Sequence, residues 1–278
     1  MKDASLVVMA AGLGSRFGGL KQLARVGPGR ESILDYTIYD ALTAGVKEVI
    51  LIVRNEILKE MSEHIRQVHG DAAAFTFVCQ DDFGPPRNKP WGTVHAVLSA
   101  AHAVTSPFIL ANADDYYGTS SFQKAFDQLG SLSKDRGLLV AFELGKTLSA
   151  HGVVTRGLCS VEDGFLIRIE ETSNLHRRID GTIGTGIDTP AFNEKTPVSM
   201  NLWAFDHSIL EALRTRWETF YNANRTESEA ECLLPTEISA LMNDGFKVKL
   251  ESSAETWTGL TNPADLDTVR GVLAHLRP

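Results

Sequence analysis

The chain has 278 residues, enough for one large α/β domain or two small ones with a full core. Lys and Arg number 27 against 35 Asp and Glu, a net charge of −8 with neutral His. That balance argues against a general nucleic-acid coat or a basic membrane-surface protein, and leaves any anionic ligand to be met by a local basic pocket.

Residues 6–10 begin the pattern of elements as a buried strand, too short to span a bilayer and running straight into a glycine-rich turn. Further β-branched apolar runs at 49–53, 75–79, 108–111 and 138–142 alternate with helix-length stretches, as successive βαβ units on a parallel sheet require. Ile33, Ile38, Ala41 and Leu42 give one face to a helix that Gly45 ends, and 93–103 reads as another. Later the pattern changes. Residues 158–162 and 165–169 form a hairpin about Asp163-Gly164, 198–205 is a strand, and Ser208 caps a helix running to about 220. Residues 247–250 make a short strand, Pro235 starts a helix, and Pro263 opens the last one. The expected fold is α/β: a single doubly wound, Rossmann-like domain over 1–278 with a mixed central sheet and a small β extension over the active-site face. Cys79, Cys159 and Cys232 lie far apart with no zinc spacing, which points to a reducing, cytoplasmic compartment.

Candidate chemistry starts at the loop after the first strand, Ala11-Gly12-Leu13-Gly14-Ser15-Arg16-Phe17-Gly18-Gly19-Leu20-Lys21-Gln22. Its backbone N–H groups project from the carboxyl edge of the sheet, where open α/β folds bind ligands. Phe17 stands where a dinucleotide fingerprint needs its third glycine, and Leu20-Lys21 breaks the Walker pattern. What remains is a phosphate cradle of Ala11, Gly12, Gly14 and Ser15 backbone, with Arg16 and Lys21 able to bracket a triphosphate. Gln80 offers a carboxamide to a base edge, and Gly92-Thr93 lies where a planar ring could pack on backbone. The strand at 108–111 ends in Asp114-Asp115, hard oxygen donors suited to magnesium bridging to phosphate. Adjacent strand residues point to opposite faces, so one of Asp114 and Asp115 faces the metal, and the other stands beside it on the substrate side or as the alternate ligand. Glu227, Glu229 and Glu231 read as a solvated lead-in to a helix, and His64, His69 and His95 as structural.

Taken in this order, the segments resemble the sugar-1-phosphate nucleotidyltransferases (NDP-sugar pyrophosphorylases), a nucleotidyltransferase family with a GT-A-like α/β fold. The resemblance implies that Gln80, Gly92 and Thr93 read the base, that Asp114 binds Mg2+, and that Glu170 and Asn201 hold acceptor hydroxyls. Two departures stand out. Glu170-Glu171 replaces the usual Glu-Lys, leaving Arg168, Arg177 or Arg178 to meet the acceptor phosphate. In Trp257-Thr258-Gly259-Leu260, Gly259 takes the place of a second metal-binding Asp.

The expected activity is magnesium-dependent transfer of a nucleotidyl group from an NTP to a phosphorylated acceptor, a sugar 1-phosphate first. Arg16, Lys21 and Asp114 would be catalytic, residues 1–140 the nucleotide half and 141–278 the acceptor half. Phosphocholine or another alcohol phosphate as acceptor, or a non-catalytic nucleotide-binding regulator, are the alternatives. A homo-oligomer is compatible, with neither nucleic acid nor membrane as partner.

Overall fold

The computed structural model describes residues 4–12, 21–149, 152–260 and 264–276. Strands β1 (Ser5–Met9), β2 (Glu48–Val53), β3 (Ala74–Cys79) and β4 (Phe108–Asn112) lie parallel in the spatial order β3-β2-β1-β4. Helices α1 (Ile33–Ala44), α2 (Asn55–His69) and α3 (Thr93–Ser99) connect them.

Local chemistry sets the boundaries. Ser32 and Asp35 close a reciprocal capping box at the start of α1, and Gly45, at φ 115°, ends it in the left-handed conformation. Helix α2 was not among the expected elements, although Ile57, Met61 and Ile65 recur at four-residue intervals and are its buried face. Its His64 and His69 both reach the fully buried Asp35 of α1, each with Nε2 at 2.9 Å from a carboxylate oxygen. Helix α3 is shorter than expected, because the backbone turns at Ala100.

The βαβ pattern stops at β4. A fifth parallel neighbour was expected from residues 138–142, but β10 (Pro197–Phe205) inserts antiparallel between β4 and β6 (Arg136–Glu143). Before β6 come a two-residue strand β5 (Asp115–Tyr116) and helix α4 (Thr119–Gln128), also unexpected. A long hairpin, β7 (Val154–Glu162) and β8 (Phe165–Arg177), turns through Asp163 and Gly164, both at positive φ. Short β9 (Ile183–Gly184) pairs with β8, and β11 (Lys247–Ser252) runs parallel to β6 and joins β8. The central sheet is therefore mixed, with four parallel and six antiparallel pairings among the described residues.

Alternation along β1 shows how the layers form: Leu6 and Val8 join a core with α1, α2 and α4, whereas Val7 joins one with α3, α5 (Ile209–Asn224) and α6 (Leu234–Asn243). Ser208 precedes α5, but its hydroxyl donates to Asp206 rather than capping the helix. Strand β12 (Thr258–Gly259) pairs antiparallel with β5, and α7 (Asp265–Leu273) follows; the expected start at Pro263 lies outside the described residues. Among the described residues, no helix is long and apolar enough to cross a membrane.

Candidate functional site

Parallel register places Met9 beside Asn112, so the segments leaving β1 and β4 emerge side by side. The Ala113 N–H donates to Met9 O at 3.2 Å. Ala11, Gly12 and Asp114 thereby share one wall of a cleft of about 450 Å³. Buried Gln22 holds this corner: its Nε2 donates to Ala10 O (3.0 Å) and Gly12 O (2.7 Å). The neighbouring Lys21 sends Nζ onto Asp114 Oδ2, with the two side chains 15% and 32% exposed. Gly14, Ser15 and Arg16 lie outside the described residues.

At the opposite end of the cleft, Gln80 is buried and oriented by a residue that sequence reasoning had left as structural. His95 Nε2 donates to Phe83 O (2.8 Å), so its Nδ1 is the acceptor for Gln80 Nε2 at 3.1 Å. Burial pushes the His95 pKa down, which favours this neutral tautomer. The Gln80 carbonyl oxygen is left uncommitted among the described residues.

Gly92 and Thr93 also line the cleft, and on the side where a side chain of residue 92 would project the chain packs against itself. A Cβ on Gly92, at φ 104°, would meet the Cys232 carbonyl oxygen at 2.5 Å. The Thr93 hydroxyl accepts from Leu234 N–H at 2.7 Å, at the start of α6. Nor are the glutamates before α6 a merely solvated lead-in: Lys89 bridges to Glu229 and Glu231, each at 3.2 Å, and Glu231 lines the cleft.

Asp114 and Asp115 part company. Chain reversal after β4 leaves Asp114 on the cleft, whereas Asp115 begins β5 and turns to a second cavity of about 380 Å³. Asp115 is buried, accepts from Asn112 Nδ2 (2.8 Å) and Tyr117 Oη (3.3 Å), and pairs in register with Gly259. Burial, and then the adjacent Asp114 charge, push its pKa up to about 7.

The polar lining of the second cavity includes Asn112, Ser199, Asn201 and Glu171. Asn201 borders both cavities: the register shifts between Ser199 and Leu202, and Asn201 stands at φ 61° in that irregularity. Glu170 does not line either one. Period-two alternation on β8 puts Ile169 and Glu171 on the cavity side, while Glu170 is exposed and pairs with Arg168 at 3.0 Å. Arg177 pairs with Glu194, and Arg178 donates to Thr189, so none of the three expected arginines reaches the cavity. The arginine that does is Arg156 of β7, which no motif had marked.

No cluster of three or more His, Cys, Asp or Glu able to cage a metal occurs among the described residues. The half-buried Asp114 in an open cleft does suit Mg2+, which binds through one or two carboxylates, substrate phosphates and retained waters.

Residues 6–140 match the model of the MobA-like NTP transferase domain. No curated protein matches the chain by sequence. A structure from Bacillus anthracis assigned as a glucose-1-phosphate thymidylyltransferase, in complex with sucrose, superimposes with TM-score 0.70 at 12% identity, covering 99% of this chain and 97% of the other. The inositol-1-phosphate CTP transferase of T. maritima superimposes with TM-score 0.64 at 15% identity, covering 98% and 95%. At such identities the likeness is one of fold.

Proposed function

We infer, for a chain whose residues 6–140 carry a MobA-like NTP transferase domain, that it transfers a nucleotidyl group from an NTP to a phosphorylated acceptor and releases pyrophosphate. One observation carries the reading: the Lys21–Asp114 pair sits where the two central strands end, with a polar cavity on the far side of the same acidic step. The NTP occupies the larger cleft and the acceptor the second cavity, so the nucleotide half is about 1–140 and the acceptor half about 141–278. The reading takes the sheet as doubly wound, with its ligand crevice at the carboxyl ends of β1 and β4.

An ionised acceptor phosphate needs no general base. Its oxygen forms a new bond to the α-phosphorus as the bond to the bridging oxygen breaks, and pyrophosphate leaves with that electron pair. The task of the protein is in-line positioning and charge neutralisation. Lys21 places its ammonium beside the reacting phosphoryl group, and the backbone of Ala11 and Gly12 lies along the phosphates. Mg2+, held by Asp114, supplies Lewis-acid charge neutralisation when bound. Gln80, pinned by His95, presents its carbonyl oxygen to the base edge.

A sugar 1-phosphate is the proposed acceptor class: the second cavity is polar and of monosaccharide-phosphate size, and Asn201 and Glu171 offer partners for hydroxyls. The test is a matrix of NTPs against glucose 1-phosphate, inositol 1-phosphate and phosphocholine with magnesium, read by pyrophosphate release. A signal with a sugar or cyclitol phosphate supports the reading. A signal with phosphocholine alone moves the acceptor class, and triphosphate binding without release from any pair points to a non-catalytic regulator.

A further inference from the structure

We propose that Arg156, stacked on Trp257, recognises the phosphate of the acceptor, and that position 259 is glycine because this stack and Asp115 fill the space beside it. The proposal rests on the transferase reading above.

Charge states the need. The acceptor cavity is bordered by Asp115 and Glu171, and a phosphate dianion beside carboxylates is repelled unless a cation faces it. Among the described lining residues Arg156 is the one Lys or Arg. A guanidinium suits a phosphate because its donors lie in one plane and match pairs of oxygens.

The side chain is held for such work. Arg156 Nε donates to Thr147 O at 3.1 Å, with Nη2 to the same oxygen, and Nη1 donates to Thr155 O at 2.9 Å. Three of its five N–H groups are thereby used, leaving one on each terminal nitrogen. Its carbon lies 4.8 Å from the Trp257 ring centroid, which fixes the plane of the fork. Trp257 also borders the cavity, and its Nε1–H is buried without an acceptor among the described residues.

Gly259 completes the argument. A Cβ built there would lie 2.5 Å from Asp115 Oδ1 and 2.6 Å from Trp257 Cζ2. Any side chain at 259 would drive the indole off its position and take away the surface on which Arg156 rests. The apparent loss of an acidic group at this position is therefore an exchange: the carboxylate present belongs to Asp115, and the room goes to the aromatic support of an arginine.

The experiment has a binding arm and a turnover arm. Calorimetry with glucose 1-phosphate, inositol 1-phosphate, phosphocholine and inorganic phosphate is run on wild type, Arg156→Ala, Arg156→Lys and Trp257→Phe. Arg156→Ala should weaken phosphate-ester binding by about tenfold or more, with the KM for NTP within about twofold. Arg156→Lys should recover part of the loss. Trp257→Phe, which leaves a smaller ring under Arg156, should weaken binding by about threefold. Unchanged affinity in Arg156→Ala, or equal loss for acceptor and NTP, overturns the proposal; so does a wild type that binds none of the four probes at millimolar concentration. If wild type binds an ester through Arg156 yet releases no pyrophosphate with any NTP, the transfer reading fails and the phosphate site stands.

Discussion

The two sides of the acidic step at Asp114-Asp115 are built by different means. On the proposed donor side, strands β1 to β4 run parallel, and the turns directly after them bring Ala11 and Gly12 (after β1), Gln80 (after β3) and Asp114 (after β4) to the cleft. On the acceptor side, the groups lie within the strands of an antiparallel array, and each faces the cavity only through register: Glu171 opposite Gly157, Arg156 opposite Thr172, Asn201 in the irregularity of β10. A strand end is a local feature, whereas register is a relation between distant segments. The donor side is thus a product of chain order and the acceptor side a product of pairing.

The sharpest way to break this division is at the shared step. Lys21→Ala and Asp114→Ala should each lower kcat by about a thousandfold, since both groups act on charge that develops in the transition state. Their melting temperatures should stay near wild type, because Asp114 borders an open cleft and Lys21 meets it there rather than in the apolar core. Arg156→Ala should instead act through the acceptor KM. If Lys21→Ala kept near wild-type turnover while changing only the acceptor KM, the division between the two cavities would be misplaced.

Gly259→Ala tests the pairing side next. The added methyl must displace Asp115 Oδ1 and the Trp257 ring, both under 3 Å from the ideal Cβ. Overpacking of this kind costs about 1–3 kcal/mol, so the variant should melt lower and bind acceptor less well. If Gly259→Ala costs no further stability in a Trp257→Ala background, measured by thermal melting, the strain lies in the indole. A Gly259→Ala protein as stable as wild type would show that the space is not contested.

These contrasts explain what was legible in the sequence. The first four strands, the glycine end of α1 and the placement of Asp114 follow from local apolar runs and turn residues. The hairpin turn at Asp163-Gly164 was equally local. Helix α2 carried its signal in Ile57, Met61 and Ile65, diluted by a charged sequence between them. The insertion of β10 beside β4 had no local sign, because it depends on which distant strand reaches an open edge. Glu170 was misplaced by one residue for the same reason: a one-residue step on β8 exchanges the cavity face for solvent. Arg156 belongs to no glycine or acidic motif, and its use emerges only when Trp257, about a hundred residues on, is brought beneath it.

A milder intervention sharpens the donor side alone. Gln80→Leu removes the carboxamide while filling similar volume, and should raise the KM for NTP by about tenfold with the acceptor KM unchanged. His95→Phe, which leaves Gln80 in place without the partner that orients it, should do the same to a lesser degree, about threefold. Equal effects on both substrates in steady-state assays would mean that the Gln80–His95 pair supports the fold of the 80–92 loop rather than reading the base.

The smallest effect is expected at Asp40, away from both cavities. Asp40 of α1 is buried, accepts from Thr119 Oγ1 at 2.5 Å, and leaves its Oδ2 without a partner among the described residues. Burial, and then Glu255 from the second half, raise its pKa from the ordinary 3.8 to about 6. A carboxyl whose pKa is raised on folding contributes its stability in the protonated form. That contribution is complete below pH 3.8, and it is lost as pH rises through about 6. Asp40→Asn keeps an oxygen for Thr119 and cannot ionise, so it should stabilise the protein by about 1–2 kcal/mol at pH 8 and by much less at pH 4. Urea denaturation at the two pH values measures the difference. Parallel stability curves for variant and wild type would mean that the Asp40 charge is neutralised by a neighbour, and that its contact with Glu255 carries no electrostatic cost.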